Sequence, residues 1–208
     1  MNYFENKELN NPSIFDDLNC FVSFINKHTL TQEEYDLLLN NSVGKKIFPK
    51  KEIISLLIQL KSNVQYKNRW GLNTFQYACL NENISIEILE ILEKGVNIHE
   101  KDSFNRTCIR LMCESVNPNP DLIDHYCQKW IDLNSFAFAQ ESTFHFATQM
   151  IEGLDQSSYN RICRSMIDYQ GNPNLKEKSK NRTPFHFVCQ NNLGEFFFFF
   201  YNIFFLYF

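Results

Sequence analysis

The chain has 208 residues, of which 44% are hydrophobic and 21% charged, with a formal net charge of −4. That is length for one large domain or two small ones, and enough apolar material for a core. An acidic chain without a basic block argues against binding nucleic acid through its phosphates. Six glycines and six prolines are few for a fold of many tight turns and favour helices.

The first ten residues, MNYFENKELN, are polar and lack the apolar stretch of a signal peptide. No apolar run of about 20 residues follows, so no full transmembrane helix is predicted. Three helices are predicted at 16–27, 31–42 and 49–60. Thr31-Gln32-Glu33-Glu34 reads as a capping box. Pro49 suits the first turn of the third helix. These residues, 1–61, are expected to form a helical cap with a degenerate first repeat.

From residue 62 the chain repeats itself. GVNIHEKDSFNRT (95–107) and GNPNLKEKSKNRT (171–183) are both thirteen residues long and share five identities. NVQYKNRWG (63–71) is a weaker version. Asn73, Thr107, Ser142 and Thr183 lead four copies of one frame, at intervals of 34, 35 and 41 residues. A period in the thirties marks a repeat array, in which each unit buries its apolar face on the next.

Each copy is predicted to hold two helices. The first runs from the leading residue for roughly ten residues. The second carries an apolar stripe: Ile84, Ile88, Leu89, Ile91 and Leu92, then Leu122, Ile123, Tyr126, Cys127 and Trp130, then Tyr159, Ile162, Cys163, Met166 and Ile167. Gly95 and Gly171 follow their stripes, where a left-handed helix cap favours glycine. Trp130 holds that place in the second copy and breaks the rule. Pro118 and Pro120 are turn residues between helices. A longer turn around 152–158 is expected to absorb the 41-residue interval.

The loop Gly95–Asp102, completed by Asn105-Arg106-Thr107, resembles that of an ankyrin repeat. Thr183-Pro184-Phe185-His186-Phe187-Val188 is similar to the family's Thr-Pro-Leu-His-x-Ala start of the first helix. The resemblance covers residues 62–192. It implies an all-α, ankyrin-type helix-pair solenoid with hairpin-like loops. It also implies that Thr107, His145, Thr183 and His186 hydrogen-bond backbone groups and order the turns, with Pro184 opening its helix. Asn73 and Ser142 stand in for Thr, Gln76 and Arg110 for His, and Cys108 for Pro. Uneven stability is therefore expected, with the copy led by Thr107 the weakest.

No catalytic constellation emerges. There is no nucleophile elbow, phosphate-binding Gly-rich loop, HExxH or EF-hand loop. His145 and His186 sit in the repeat frame, and His28, His99 and His125 have no nucleophile beside them. Seven cysteines contain no CxxC pair. Cys79, Cys113 and Cys189 share one position in the frame, as small apolar packing residues would. A non-enzymatic chain without metal or cofactor is expected.

What remains is binding: a cytoplasmic, monomeric scaffold that takes an unidentified protein on its concave face and loop tips. Candidate contact residues at the tips are Phe104, Arg106, Phe136, Phe138, Lys178, Lys180 and Arg182, because exposed loops, aromatics and arginines carry contacts. Phe136 or Phe138 packing inward is an equal alternative, and the lysines read as solvated charge as readily as contacts.

The last sixteen residues, LGEFFFFFYNIFFLYF, are unlike the rest and hold eight of the chain's 21 phenylalanines. Residues 193–208 read foremost as a translated non-coding stretch that interrupts the fourth copy. A partial membrane anchor and a crude second helix are the alternatives. As a helix, the last thirteen residues span about 20 Å against roughly 30 Å of hydrocarbon. The anchor reading gives a second function, a membrane-tethered adaptor.

Overall fold

The computed structural model describes Leu9, residues 11–149 and residues 154–190. The tail 193–208, and with it the choice among its three readings, lies outside the described residues. The chain is all-α: no strand occurs among the described residues, and their isolated β-bridge pairs Phe136 with Ser142. It divides into two compact units, Met1–Ile98 and His99–Phe208.

The first unit opens with a short 3-10 turn, Pro12–Phe15, followed by α1 (Leu18–Lys27), α2 (Gln32–Asn41), α3 (Lys51–Gln59), α4 (Thr74–Ala78) and α5 (Ile86–Glu93). Each of α1, α2, α4 and α5 starts at a side-chain cap. Asp17 takes the amides of Asn19 and Cys20, and Thr31 forms the predicted capping box with Glu34. Asn73 and Gln76 form a second box, and Ser85 caps α5 through the Ile88 amide. α2 packs on α3 and α4, α3 on α1 and α5, and α4 on α5. Phe21, Leu38, Leu39, Ile54, Leu57, Phe75 and Leu89 are its buried core. Each such side chain contributes about 1.5–3 kcal/mol by leaving water.

The second unit contains α6 (Cys108–Cys113), α7 (Pro120–Cys127), α8 (Thr143–Gln149), α9 (Gln156–Asp168) and α10 (Pro184–Gln190). α6 packs on α7 and α8, α8 on α9 and α10, and α7 on α9. Ile109, Leu111, Ile123, Tyr126, Phe144, Cys163, Met166 and Val188 fill the space between them. Pro120 stands at the first turn of α7, where its missing N–H costs nothing.

Three details depart from the sequence reading. First, α4 is five residues long and α6 six, shorter than predicted. Just past α4, the Asn81 side chain is engaged by tertiary bonds: its Nδ2 donates to the carbonyls of Val43, Gly44 and Ile47 at 3.2, 2.7 and 3.0 Å. Second, the 41-residue interval goes largely into helix. α9 has thirteen residues against eight in α5 and α7, and it begins inside the segment predicted as turn.

Third, Gly95 and Gly171 do not adopt the left-handed conformation predicted for them; Gly71 does, at φ 73°. α9 instead ends with Gln170 left-handed at φ 71°, its amide on the Ile167 carbonyl and the Gly171 amide on the Met166 carbonyl at 2.7 Å. Lys61 closes α3 the same way at φ 64°. Both ends are Schellman motifs. Gly171 is needed for space rather than for its dihedral, since a Cβ there would stand 2.6 Å from the Met166 carbonyl oxygen. At Gly95 the close neighbour of a Cβ is the Val64 side chain, at 3.1 Å, with the Leu92 carbonyl at an ordinary 3.7 Å. Gly171→Ala is expected to destabilise by about 1–3 kcal/mol, the cost of overpacking, and Gly95→Ala by less. Urea titration of both variants checks the order.

Candidate partner-binding loops

Four loops repeat one backbone device. Each has a left-handed residue two positions before the residue that leads its helix: Gly71, Asn105, Gln140 and Asn181, with φ of 73°, 62°, 65° and 56°. A main-chain hydrogen bond closes each tip. Asn68 donates to Leu72 at 3.0 Å, Asp102 to Arg106 at 3.0 Å, Ala137 to Glu141 at 3.0 Å and Glu177 to Arg182 at 2.8 Å.

In three of the four, the closing residue also cages the tip with its side chain. Asn68 Oδ1 accepts from the Trp70 and Leu72 amides at 3.0 and 3.2 Å. Asp102 Oδ1 accepts from Phe104 and Arg106 at 2.9 and 2.8 Å. Glu177 accepts from the amides of Ser179, Lys180 and Arg182 and from the Ser179 hydroxyl. Burial opposes ionisation of Glu177, but these hydrogen bonds together outweigh it and bring its carboxyl down to about 2. The extra carbon of Glu over Asp spans a loop one residue longer. Ala137 has no such side chain. Sequence reading missed this cage, whose signal was an Asx residue three positions, or a Glu four positions, before the left-handed residue.

In two of the four copies the leading residue and the residue three positions on then cap the helix reciprocally. Asn73 takes the Gln76 amide at 2.8 Å, and Gln76 Oε1 takes the Asn73 amide at 3.1 Å. Ser142 and His145 do the same: Ser142 Oγ lies 2.7 Å from His145 Nδ1 and takes the His145 amide at 3.3 Å. His186 Nδ1 accepts from the Thr183 amide at 3.1 Å. Thr107 accepts from the Arg110 amide at 3.3 Å, but a guanidinium has no acceptor to return. Arg110 turns to Glu114 instead, at 2.8 Å from Nε, and its Cζ lies 3.7 Å from the Phe146 ring centroid.

Neighbouring loops of the second unit are tied together. Asn105 Nδ2 donates to the Phe136 carbonyl at 2.5 Å, the Phe138 amide to Phe104 at 3.1 Å and the Lys178 amide to Gln140 at 3.1 Å. Thr107 and Thr143 pair through their hydroxyls at 3.2 Å, and His145 Nε2 reaches the Arg182 carbonyl at 3.0 Å. Loop tips are thereby held in fixed succession.

The candidate contact residues separate on this frame. Phe104 and Phe138 stand out at 49% and 68% exposure, edge to face at 6.0 Å. Lys178 and Lys180 are exposed. Phe136 is half-buried, 6.4 Å from the His145 ring and under the Lys178 ammonium at 5.0 Å. Arg106 is engaged by Asp102 at 2.6 Å and by Glu114, and Arg182 by Glu177 at 3.3 Å. Both arginines therefore clamp their own loops.

Cys79, Cys108, Cys113, Cys127 and Cys163 are buried, and Cys20 and Cys189 exposed. Burial pushes the Cys163 thiol up to about 12 and raises Cys113 and Cys127 as well, so these sulfurs stay protonated near neutrality. Among the described residues no group of three metal-ligating side chains occurs. In a native thiol titration with an aromatic disulfide, Cys20 is expected to react promptly and the five buried cysteines only on unfolding. Fast native reaction of any of those five contradicts the packing.

No protein-family model matches this chain, and no curated protein is significantly similar to it.

Proposed function

We propose that the chain is a non-catalytic, monomeric cytoplasmic scaffold of the ankyrin type, a helix-pair solenoid that holds a protein partner on its loop tips. The observation that carries this reading is the recurrence of the left-handed, main-chain-closed turn, caged by a side chain in three of four loops, at the same intervals as the sequence repeat. A turn so heavily hydrogen-bonded presents its tip without loss of loop entropy on binding, which favours affinity. Phe104 and Phe138 are the anchors this reading assigns, and Lys178 and Lys180 the polar rim.

The test is affinity capture from the native cell with the full chain and with a Phe104→Ala/Phe138→Ala variant. A protein retained by the first and lost by the second supports the reading. Equal retention by both moves the site elsewhere on the surface. The tethered-adaptor alternative rests on the sequence of the tail, and detergent-dependent extraction of the full chain from a membrane pellet supports it.

A further inference from the structure

The first unit contains a cavity of ≈ 330 Å³ between α2, the 66–72 loop and α4. Its walls include Leu37, Asn40, Tyr66, Arg69, Trp70 and Tyr77. Three of these are aromatic. The volume is at the small end of ligand pockets and suits one or two side chains. Trp70 is 47% exposed although its backbone is pinned by Asn68, and its ring meets Tyr77 at 5.6 Å. The Asn40 carboxamide is fixed on both sides, donating to Thr74 Oγ1 and accepting from Asn68 Nδ2. The wall is therefore preformed.

Its charge is one-sided. No acidic side chain lines the cavity among the described residues. The Arg69 guanidinium lies 4.2 Å from the Trp70 ring centroid, is exposed and forms no ion pair among the described residues. Lys45 and Lys46 follow Gly44, which abuts the Tyr77 hydroxyl. Two acids act on Tyr66 in its wall: Glu33 and Asp36. Of these, Asp36 is spent on Gln32 Nε2 and the Asn63 amide, at 2.8 and 2.7 Å. A guanidinium stacked on indole keeps its edge free for a carboxylate, while the rings take an apolar side chain.

The geometry points to a binding site for an acidic peptide segment in which an aromatic or aliphatic side chain lies beside Asp or Glu. The apolar group fills the Tyr66–Trp70–Tyr77 wall and the carboxylate pairs with Arg69. A stacked nucleobase would use the same rings, but a chain of net charge −4 offers no basic track for a phosphate backbone. The inference rests on reading the chain as a partner-binding module, yet it uses different residues from the loop tips of the second unit.

The experiment is selection of a phage-displayed random dodecapeptide library on the full chain, with tight clones remeasured by fluorescence anisotropy. Expected are clones with Asp or Glu within two residues of Phe, Trp or Leu. Trp70→Ala should weaken them at least about tenfold, and Phe138→Ala should leave them unchanged. Arg69→Glu, an exposed and structurally mild change, should reverse the preference towards Lys- and Arg-bearing clones. Absence of enrichment, neutral or basic clones on the wild type, or indifference to Arg69→Glu overturns the site. So does displacement of the clones by a uridine dodecamer at lower concentration than by a free acidic peptide. Acidic clones that depend on Arg69, together with no protein captured through Phe104 and Phe138, leave this site standing while the loop-tip reading falls.

Discussion

Glu114→Ala lowers the free energy of unfolding by about 3 kcal/mol, the range found when one partner of a buried ion pair is removed. The Glu114 carboxylate receives Arg110 Nε at 2.8 Å on one oxygen and Arg106 Nη1 on the other. The Arg110 side chain is only 6% exposed, and its Nη1 already lacks a hydrogen-bond partner. Without Glu114 the guanidinium is left, among the described residues, with the Phe146 ring, and a buried charge in that state is costly. In a chain of this length the loss corresponds to a fall in Tm of roughly 6–12 °C. Arg110→Met should behave differently. It removes the guanidinium with its orphaned nitrogen, fills similar volume, and leaves Glu114 paired with Arg106. A change within about 1 kcal/mol, in either direction, is expected. Equal losses in the two variants would show that packing of α6, and not the uncompensated charge, is what Glu114 protects.

His145→Ala should cost about 3 kcal/mol, and its effect should depend on pH. The imidazole is fully buried. Its Nε2 lies 3.0 Å from the Arg182 carbonyl, which can only accept, so Nε2 carries the proton and Nδ1 accepts from the Ser142 hydroxyl. Truncation leaves a cavity, strands two polar partners and cuts the link from α8 to the last loop. Burial lowers the pKa of His145 below 6.5; the Arg182 carbonyl and the nearby Glu141 and Glu177 pull the other way without overcoming it. The folded pKa is thus below the unfolded one. Between those values the unfolded chain binds a proton that the folded chain refuses. The stability that the neutral ring supports is complete above pH of about 6.5 and is lost as pH falls through the folded value. Urea midpoints at pH 7 and pH 5.5 should differ less in His145→Ala than in the wild type. Identical pH slopes would mean that the ring protonates freely in the fold. The Glu177 carboxyl, near 2, titrates well below this window and does not interfere.

Much of the local structure is legible in the chain alone because it depends on near neighbours. The capping box at Thr31 and Glu34 needs only four consecutive residues. The stripes of α5, α7 and α9 follow from spacing, and the intervals between Asn73, Thr107, Ser142 and Thr183 reappear as the spacing of four left-handed residues. The candidate contact surface was less legible. Phe104, Phe136 and Phe138 are the same residue in similar loops. Their different fates depend on the Lys178 ammonium and the His145 ring, which arrive from elsewhere in the chain. Arg106 and Arg182 read as contact residues because sequence shows their charge but not the Asp102, Glu114 and Glu177 carboxylates that take it up.

By itself, then, the sequence determined that the fold is all-α, where the capped helices at Thr31 and Asn73 begin and that one loop is written four times, since these depend on periodicity and on hydrogen bonds spanning three or four residues. The tertiary structure alone decided that Gly171 yields the left-handed place to Gln170, because the reason is a carbonyl brought within 2.6 Å of where its Cβ would be. It alone decided that the Asn81 side chain, just past α4, is held by three carbonyls more than thirty residues away. The aromatic cavity around Trp70 belongs to the same class: α2 and α4 meet the 66–72 loop only when the first unit packs, and no local pattern encodes that meeting.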